Sequence, residues 1–143
     1  MTDRTYTGGC FCGAVRIAAS GNPVAMGYCH CESCRWWSAA PVNAFTLWPA
    51  SNVKVTKGED QLGVYQKTER SLRKFCRACG GHVMTLHPSL GLIDIYAAIV
   101  RELAFEPELH VFYGEATLPI RDGLPKFRDL PAKMGGSGDM LPE

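Results

Sequence analysis

The stretch YCHCESCR, residues 28–35, sets Cys29, Cys31 and Cys34 close together, and the reading of the whole chain turns on them. Four other cysteines complete a total of seven: Cys10 and Cys12 in GGCFCG, and Cys76 and Cys79 in FCRACGG. An odd count leaves one thiol over in any disulfide scheme. The opening residues MTDRTYTGGC hold no apolar run of the signal-peptide kind, so the expected compartment is the cytoplasm. In a reducing compartment, clustered thiols point to metal binding or catalysis rather than to disulfides.

Spacing sorts the thiols. In extended backbone, C-x-C turns both sulfurs to one face, because side chains alternate with period two. C-x-x-C followed by glycines allows a tight knuckle that aims two sulfurs at one ion, and Gly80 and Gly81 supply a turn that a residue with a Cβ would resist. Cys10, Cys12, Cys76 and Cys79 can therefore close one tetrahedral four-thiolate zinc site, structural in role because it ties distant segments together.

Subtraction leaves Cys29, Cys31 and Cys34. A zinc ion held by three protein ligands keeps its fourth position for water or substrate, and a thiol is a favoured occupant because the ion holds it deprotonated at neutral pH. Other arrangements stay open: a histidine among His30, His82, His87 and His110 closing the site, a triplet without metal, or Cys10 and Cys12 joining the triplet. His30 lies between Cys29 and Cys31, so an extended C-x-C sends it to the face opposite the sulfurs. Arg35 is a candidate for offsetting thiolate charge or holding a substrate carboxylate, Trp36 and Trp37 for walling a pocket, and Glu32 for acid–base work. The plainer alternatives are an exposed arginine, core tryptophans and a solvated turn residue.

The rest of the chain bounds the partners. At 143 residues, 46% hydrophobic and a formal charge of +1, it has the size of one domain with a real core and carries no electrostatic footprint for nucleic acid or an anionic membrane. No segment is long and apolar enough to span a bilayer. The closing PAKMGGSGDMLPE loses periodicity and apolar density, which predicts a zinc-binding domain over residues 1–131 and a flexible tail over 132–143. Short stretches rich in β-branched and aromatic residues, AVRIA, VKV, GVYQK, HVMTL, LIDIYAAIV and LHVFY, predict a mostly β protein of antiparallel sheets. Within AVRIA, Val15 and Ile17 share one face and Arg16 takes the other; residues 92–100 read as a buried central strand. Helix is expected only in short pieces, around residues 32–38 and 101–105.

The order C-x-C, C-x-C-x-x-C-R and C-x-x-C-G, in GGCFCGAV, YCHCESCR and RKFCRACGGHV, resembles the glutathione-dependent formaldehyde-activating enzyme family, which also includes centromere protein V. The resemblance starts at Gly8 and Gly9 and runs through LIDIYAAIV to ELHVFYGEATLPIRDGLPKF, whose His110, Asp122, Leu124, Pro125 and Phe127 look like the family's closing element. It implies a β-tent fold with a structural zinc at Cys10, Cys12, Cys76 and Cys79 and a second zinc at Cys29, Cys31 and Cys34. The reaction it implies is addition of formaldehyde to glutathione, giving S-hydroxymethylglutathione, classed as a carbon–sulfur lyase for the reverse direction. The chain departs from the family where Trp36, Trp37, Ser38 and Ala39 replace a basic residue and a glycine, and near Leu118, where a common tryptophan is missing.

The expectation is therefore a zinc-dependent carbon–sulfur lyase with two zinc ions per chain, the catalytic one at Cys29, Cys31 and Cys34. Its partner would be a small-molecule thiol such as glutathione, with neither nucleic acid nor membrane involved. Two rival classes are a non-catalytic zinc-binding interaction module and a thiol-based zinc or redox sensor, the latter requiring the triplet to lose metal on oxidation.

Overall fold

A computed structural model describes residues 4–143. Among them the chain is mostly β, with ten strands and a single α-helix. The strands are β1 (Thr5–Gly9), β2 (Arg16–Ser20), β3 (Ala25–Cys29), β4 (Asn43–Pro49), β5 (Val53–Lys57), β6 (Leu62–Thr68), β7 (Ser71–Cys76), β8 (His82–His87), β9 (Leu92–Tyr96) and β10 (Leu109–Val111); the helix is α1 (Glu32–Ser38). No helix among the described residues is long and apolar enough to cross a membrane. The chain divides into two compact units: the residues up to Ala25 with Thr46–Phe105, and Met26–Phe45 with Glu106–Glu143.

In the first unit, β2 lies between β1 and β5, and β6, β7, β8 and β9 follow one another in a second series. Every pairing recorded there is antiparallel. Val15 and Ile17 are buried while Arg16 is exposed, the alternation of a half-buried sheet. Their core partners are Ala19, Trp48, Val83, Met84, Ile93, Ile95 and Val100, together with Cys10 and Cys76.

Two expectations need correcting here. The apolar run 92–100 is a strand only to Tyr96; Ala97–Ile99 then forms a 3-10 turn. That turn brings the Ile99 carbonyl against Gly8, where a Cβ would overlap it, so the approach requires glycine. Residues 101–105 form a turn rather than a helix, and Glu102 accepts hydrogen bonds from the Thr7 hydroxyl at 3.0 Å and the Thr7 amide at 3.3 Å.

The core carries one polar chain. The Trp48 indole N–H donates to the Thr46 hydroxyl at 2.8 Å, and that hydroxyl donates to the Ile95 carbonyl at 2.6 Å. Both side chains are fully buried, so their polar groups have no solvent alternative.

The second unit contains the parallel pair β3 and β10, with Tyr28 opposite His110 and Cys29 opposite Val111. This parallel pair stands beside the antiparallel pairings that the sequence leads one to expect. His30 and His110 are 80 positions apart, so the strands are not joined by a tight turn and the connection leaves their relative direction free.

A polar chain crosses this unit too. His30 Nε2 lies 2.8 Å from His110 Nδ1, and His110 Nε2 donates to Asp122 Oδ2 at 2.8 Å. Lys126, only 1% exposed, donates to Asp122 Oδ1 at 2.8 Å, to the Leu124 carbonyl at 3.0 Å and to Glu143 Oε2 at 2.7 Å, which uses all three ammonium protons. Glu143 also accepts from the Asp122 and Gly123 amides. Within the stretch 132–143, Leu141 N donates to the Lys126 carbonyl, and Met140 bridges to Phe127.

Burial acts to raise the Asp122 carboxyl, but the Lys126 ammonium and the His110 ring outweigh it and hold it well below the usual carboxylate range. Lys126, with two backbone amides, likewise holds Glu143 low. Burial acts to lower the Lys126 ammonium, and the two carboxylates raise it on balance.

Two stability measurements test these assignments. Thr46→Val strands the Trp48 donor and should cost about 1–3 kcal/mol in urea unfolding; a loss under about 0.5 kcal/mol would remove the hydroxyl from the core's hydrogen-bond chain. The depressed carboxyls mean that the unfolded chain binds more protons as acid is added. Their stabilisation is thus complete well above the unfolded value of about 4 and is lost as pH falls below it. Asp122→Asn should flatten that acid slope, whereas parallel curves for the variant and the natural protein would contradict the Asp122 contacts.

Candidate metal centres

The first unit brings Cys10, Cys12, Cys76 and Cys79 together, their sulfurs all within 4.8 Å of one another. Cys10 and Cys12 follow β1, Cys76 ends β7, and Cys79 lies in the turn before β8. The sulfurs of Cys10 and Cys12 are 3.7 Å apart and those of Cys12 and Cys76 3.8 Å. Tetrahedral zinc–sulfur bonds of about 2.3 Å would separate their sulfurs by about 3.8 Å, so the donor set fits that ion.

Each sulfur also receives a backbone amide: Val15 on Cys10 at 3.2 Å, Ala14 on Cys12 at 3.4 Å, Ala78 on Cys76 at 3.3 Å and Gly81 on Cys79 at 3.3 Å. Such donors favour thiolate. Gly80 has φ +75, the left-handed turn that lets Cys79 fold back; Gly80 N donates to the Cys76 carbonyl at 2.8 Å and Cys76 N to the Gly81 carbonyl at 2.9 Å.

The thiols perturb one another strongly. The Cys12 and Gly81 amides lower the Cys79 thiol to about 6. The Ala14 amide acts to lower Cys12, but desolvation and the sulfurs of Cys79, Cys10 and Cys76 carry it up to about 11. A cluster of this kind cannot hold several negative charges without a cation, and a divalent ion is what its geometry accommodates.

The second unit gathers Cys29, Cys31 and Cys34, again within 4.8 Å. Cys29 ends β3, Cys31 is the N-cap of α1, and Cys34 lies in the first turn of that helix. The Cys31 sulfur accepts the Cys34 amide at 3.3 Å, the role that serine or aspartate usually plays at a helix start, and lies 3.4 Å from the Cys29 sulfur. The Cys31 and Cys34 sulfurs, with burial, push the Cys29 thiol well up. No fourth histidine, cysteine or carboxylate joins this cluster among the described residues.

The remaining candidates separate cleanly. His30 turns its ring to His110 and Tyr113, and burial, followed by the His110 charge, lowers it to about 4. Arg35 directs Nε to the His30 carbonyl at 2.9 Å and Nη2 to the Glu115 carbonyl at 3.2 Å, so its hydrogen bonds go to the backbone. Trp36 is 76% exposed, which rules it out of the core, and Trp37 is half-buried. His82 lies in the first unit, in a cleft of about 680 Å³ with Gly8, Cys12, Arg16, Tyr96 and Glu102. Reading the sequence overlooked Lys126 and Glu143. Nothing local in PKF or in the final glutamate signals a buried ammonium; only the return of the chain past residue 126 creates that environment.

Comparison with known proteins places these clusters in context. An uncharacterised lyase of Schizosaccharomyces pombe is 32% identical over 75 residues, which are 52% of this chain and 53% of its own. A Colletotrichum graminicola protein provisionally named as a glutathione-dependent formaldehyde-activating enzyme is 26% identical over 120 residues, 77% of this chain and 63% of its own. The match thus spans less than two thirds of the length of either relative. A crystal structure of a Rhodobacter sphaeroides protein shares the fold, with TM-score 0.58 and 24% identity over 68% of this chain and 90% of that one. The sequence profile of the glutathione-dependent formaldehyde-activating enzymes matches residues 5–115, and the chain belongs to that family.

Proposed function

We propose that the chain is a zinc-dependent carbon–sulfur lyase that forms or cleaves a thiol–aldehyde adduct, S-hydroxymethylglutathione or a close relative. The observation that carries this reading is the difference between the two clusters. One offers four sulfurs, each with a backbone amide, while the other offers three sulfurs and leaves a tetrahedral ion one ligand short. Family membership and the names of the relatives support the thiol and the aldehyde as the reacting groups.

Cys10, Cys12, Cys76 and Cys79 would hold the structural ion, and Cys29, Cys31 and Cys34 the second. Zinc bound at the triplet would keep an incoming thiol deprotonated at neutral pH. Three thiolate donors already neutralise the ion's charge, so the triplet is suited to presenting a sulfur nucleophile rather than to polarising a carbonyl. In the addition direction the substrate sulfur bonds to the aldehyde carbon, the carbonyl electrons move to oxygen, and water supplies the hydroxyl proton. Cleavage reverses each of these changes. The role of α1 is to hold Cys34 and Cys31 at the spacing set by one helical turn, with Arg35 tying the helix back to the His30 carbonyl.

Exchange spectroscopy on formaldehyde–glutathione mixtures tests the activity: micromolar protein with both zincs bound should accelerate exchange, and no acceleration would sink the lyase reading. Substitution separates the clusters. Cys79→Ser breaks a four-ligand site worth on the order of 10 kcal/mol of folding free energy, comparable to the stability of a whole domain, and should be largely insoluble. Cys34→Ser removes a ligand from a short loop, so it should stay folded, retain about one zinc and lose the acceleration. Equal unfolding of the two variants would make the triplet part of the structural framework.

A further inference from the structure

His30 is held from several directions. Its amide donates to the Val111 carbonyl at 3.1 Å, its carbonyl accepts Arg35 Nε at 2.9 Å, and its ring meets His110 at 2.8 Å. Residues 28 and 30 share one face of the extended segment, and both rings pack on His110, with centroids 4.8 Å and 5.1 Å away. Cys29 and Cys31 project from the opposite face. Fixing the rotation of this segment through His30 therefore fixes where those two sulfurs point.

The polar chain also has a direction. The Asp122 carboxylate can only accept, so His110 Nε2 carries a proton. In a neutral His110, Nδ1 is then a bare acceptor, and His30 Nε2 must donate to it. The chain ends at His30 Nδ1, which is buried without a partner and left with a lone pair rather than an N–H. That is the less costly of the two ways to end it, since orphaned buried donors are rarer than under-satisfied acceptors. Lys126 fixes Asp122 from the other side, and Glu143 completes the lysine's partners.

Apolar side chains of similar volume would hold the segment with comparable stability, but they would not select one ring orientation. We propose that Glu143, Lys126, Asp122 and His110 are positioning residues for the triplet, acting through His30 to hold Cys29 and Cys31 in the arrangement that binds metal. The inference rests on the reading of Cys29, Cys31 and Cys34 as ligands of a second zinc.

Asp122→Asn tests it most sharply, because a carboxamide can donate to His110 Nε2, reverse the proton order and leave His30 with an unpartnered buried N–H. The full-length, zinc-loaded chain is titrated with a graded series of chelators, and the two ions are followed as they leave. In Asp122→Asn the second zinc should bind about tenfold or more weakly, the range usual when the partners of metal ligands are removed, with the first zinc unchanged. Asp122→Glu, which keeps the acceptor, should recover part of the affinity. Glu143→Gln should give a smaller loss and covers the case in which Asp122→Asn fails to fold. Second-site affinity equal to that of the natural protein in the folded variants would overturn the proposal, as would parallel weakening of both ions, the mark of a general structural role. A natural protein that releases only one zinc would overturn both the proposal and the reading of the triplet beneath it.

Discussion

Sulfurs packed within 4.8 Å of one another repel as soon as more than one is ionised, and this constraint governs both cysteine clusters. At the four-cysteine cluster the neighbouring sulfurs and desolvation outweigh the Ala14 amide and carry Cys12 up to about 11, while the Cys12 and Gly81 amides bring Cys79 down to about 6. Backbone amides on all four sulfurs moderate the repulsion, and a divalent cation would remove it. Cys10 and Cys76 are themselves core residues, and Val83 of β8, the strand that follows Cys79, packs in the same core, so the cluster and the apolar packing of that unit depend on each other.

The three-cysteine cluster meets the same constraint with fewer resources. Cys29 is buried between neighbours that push its thiol well up, and the Cys34 amide serves the Cys31 sulfur. Around it lies a hydrogen-bonded frame of two buried histidines and a fully buried lysine, closed on its outer side by two exposed carboxylates. Burial of two imidazoles and an ammonium is expensive unless each finds its partners, and among the described residues His30 Nδ1 is the one buried atom of this frame left without one. A frame of this kind is better explained by orientation than by stability alone.

Much of this was legible in the sequence because cysteine spacing is a local signal: C-x-C and C-x-x-C-G-G fix which sulfurs can face one another before any fold is known. The buried face of AVRIA and the short helix at residues 32–38 were legible for the same reason, being set by period-two alternation and by a local cap. Less visible was β1, TYTGG, which is not among the β-rich stretches and whose Gly8 serves close backbone approach. The end of the 92–100 run at Tyr96 was hidden because an apolar composition cannot say where a strand turns. The parallel pairing of β3 with β10, and the lysine beneath it, depend on contacts between residues far apart in sequence.

The central claim is that the triplet lacks a protein ligand because a substrate thiol supplies it. Cobalt placed in the second site, with zinc in the first, reports on that position directly. Glutathione should increase the thiolate-to-cobalt charge-transfer absorption while the band pattern stays tetrahedral, as a fourth sulfur binds. A spectrum that does not change at saturating glutathione would mean that the site is closed to thiols, and the account of its three cysteines would be wrong.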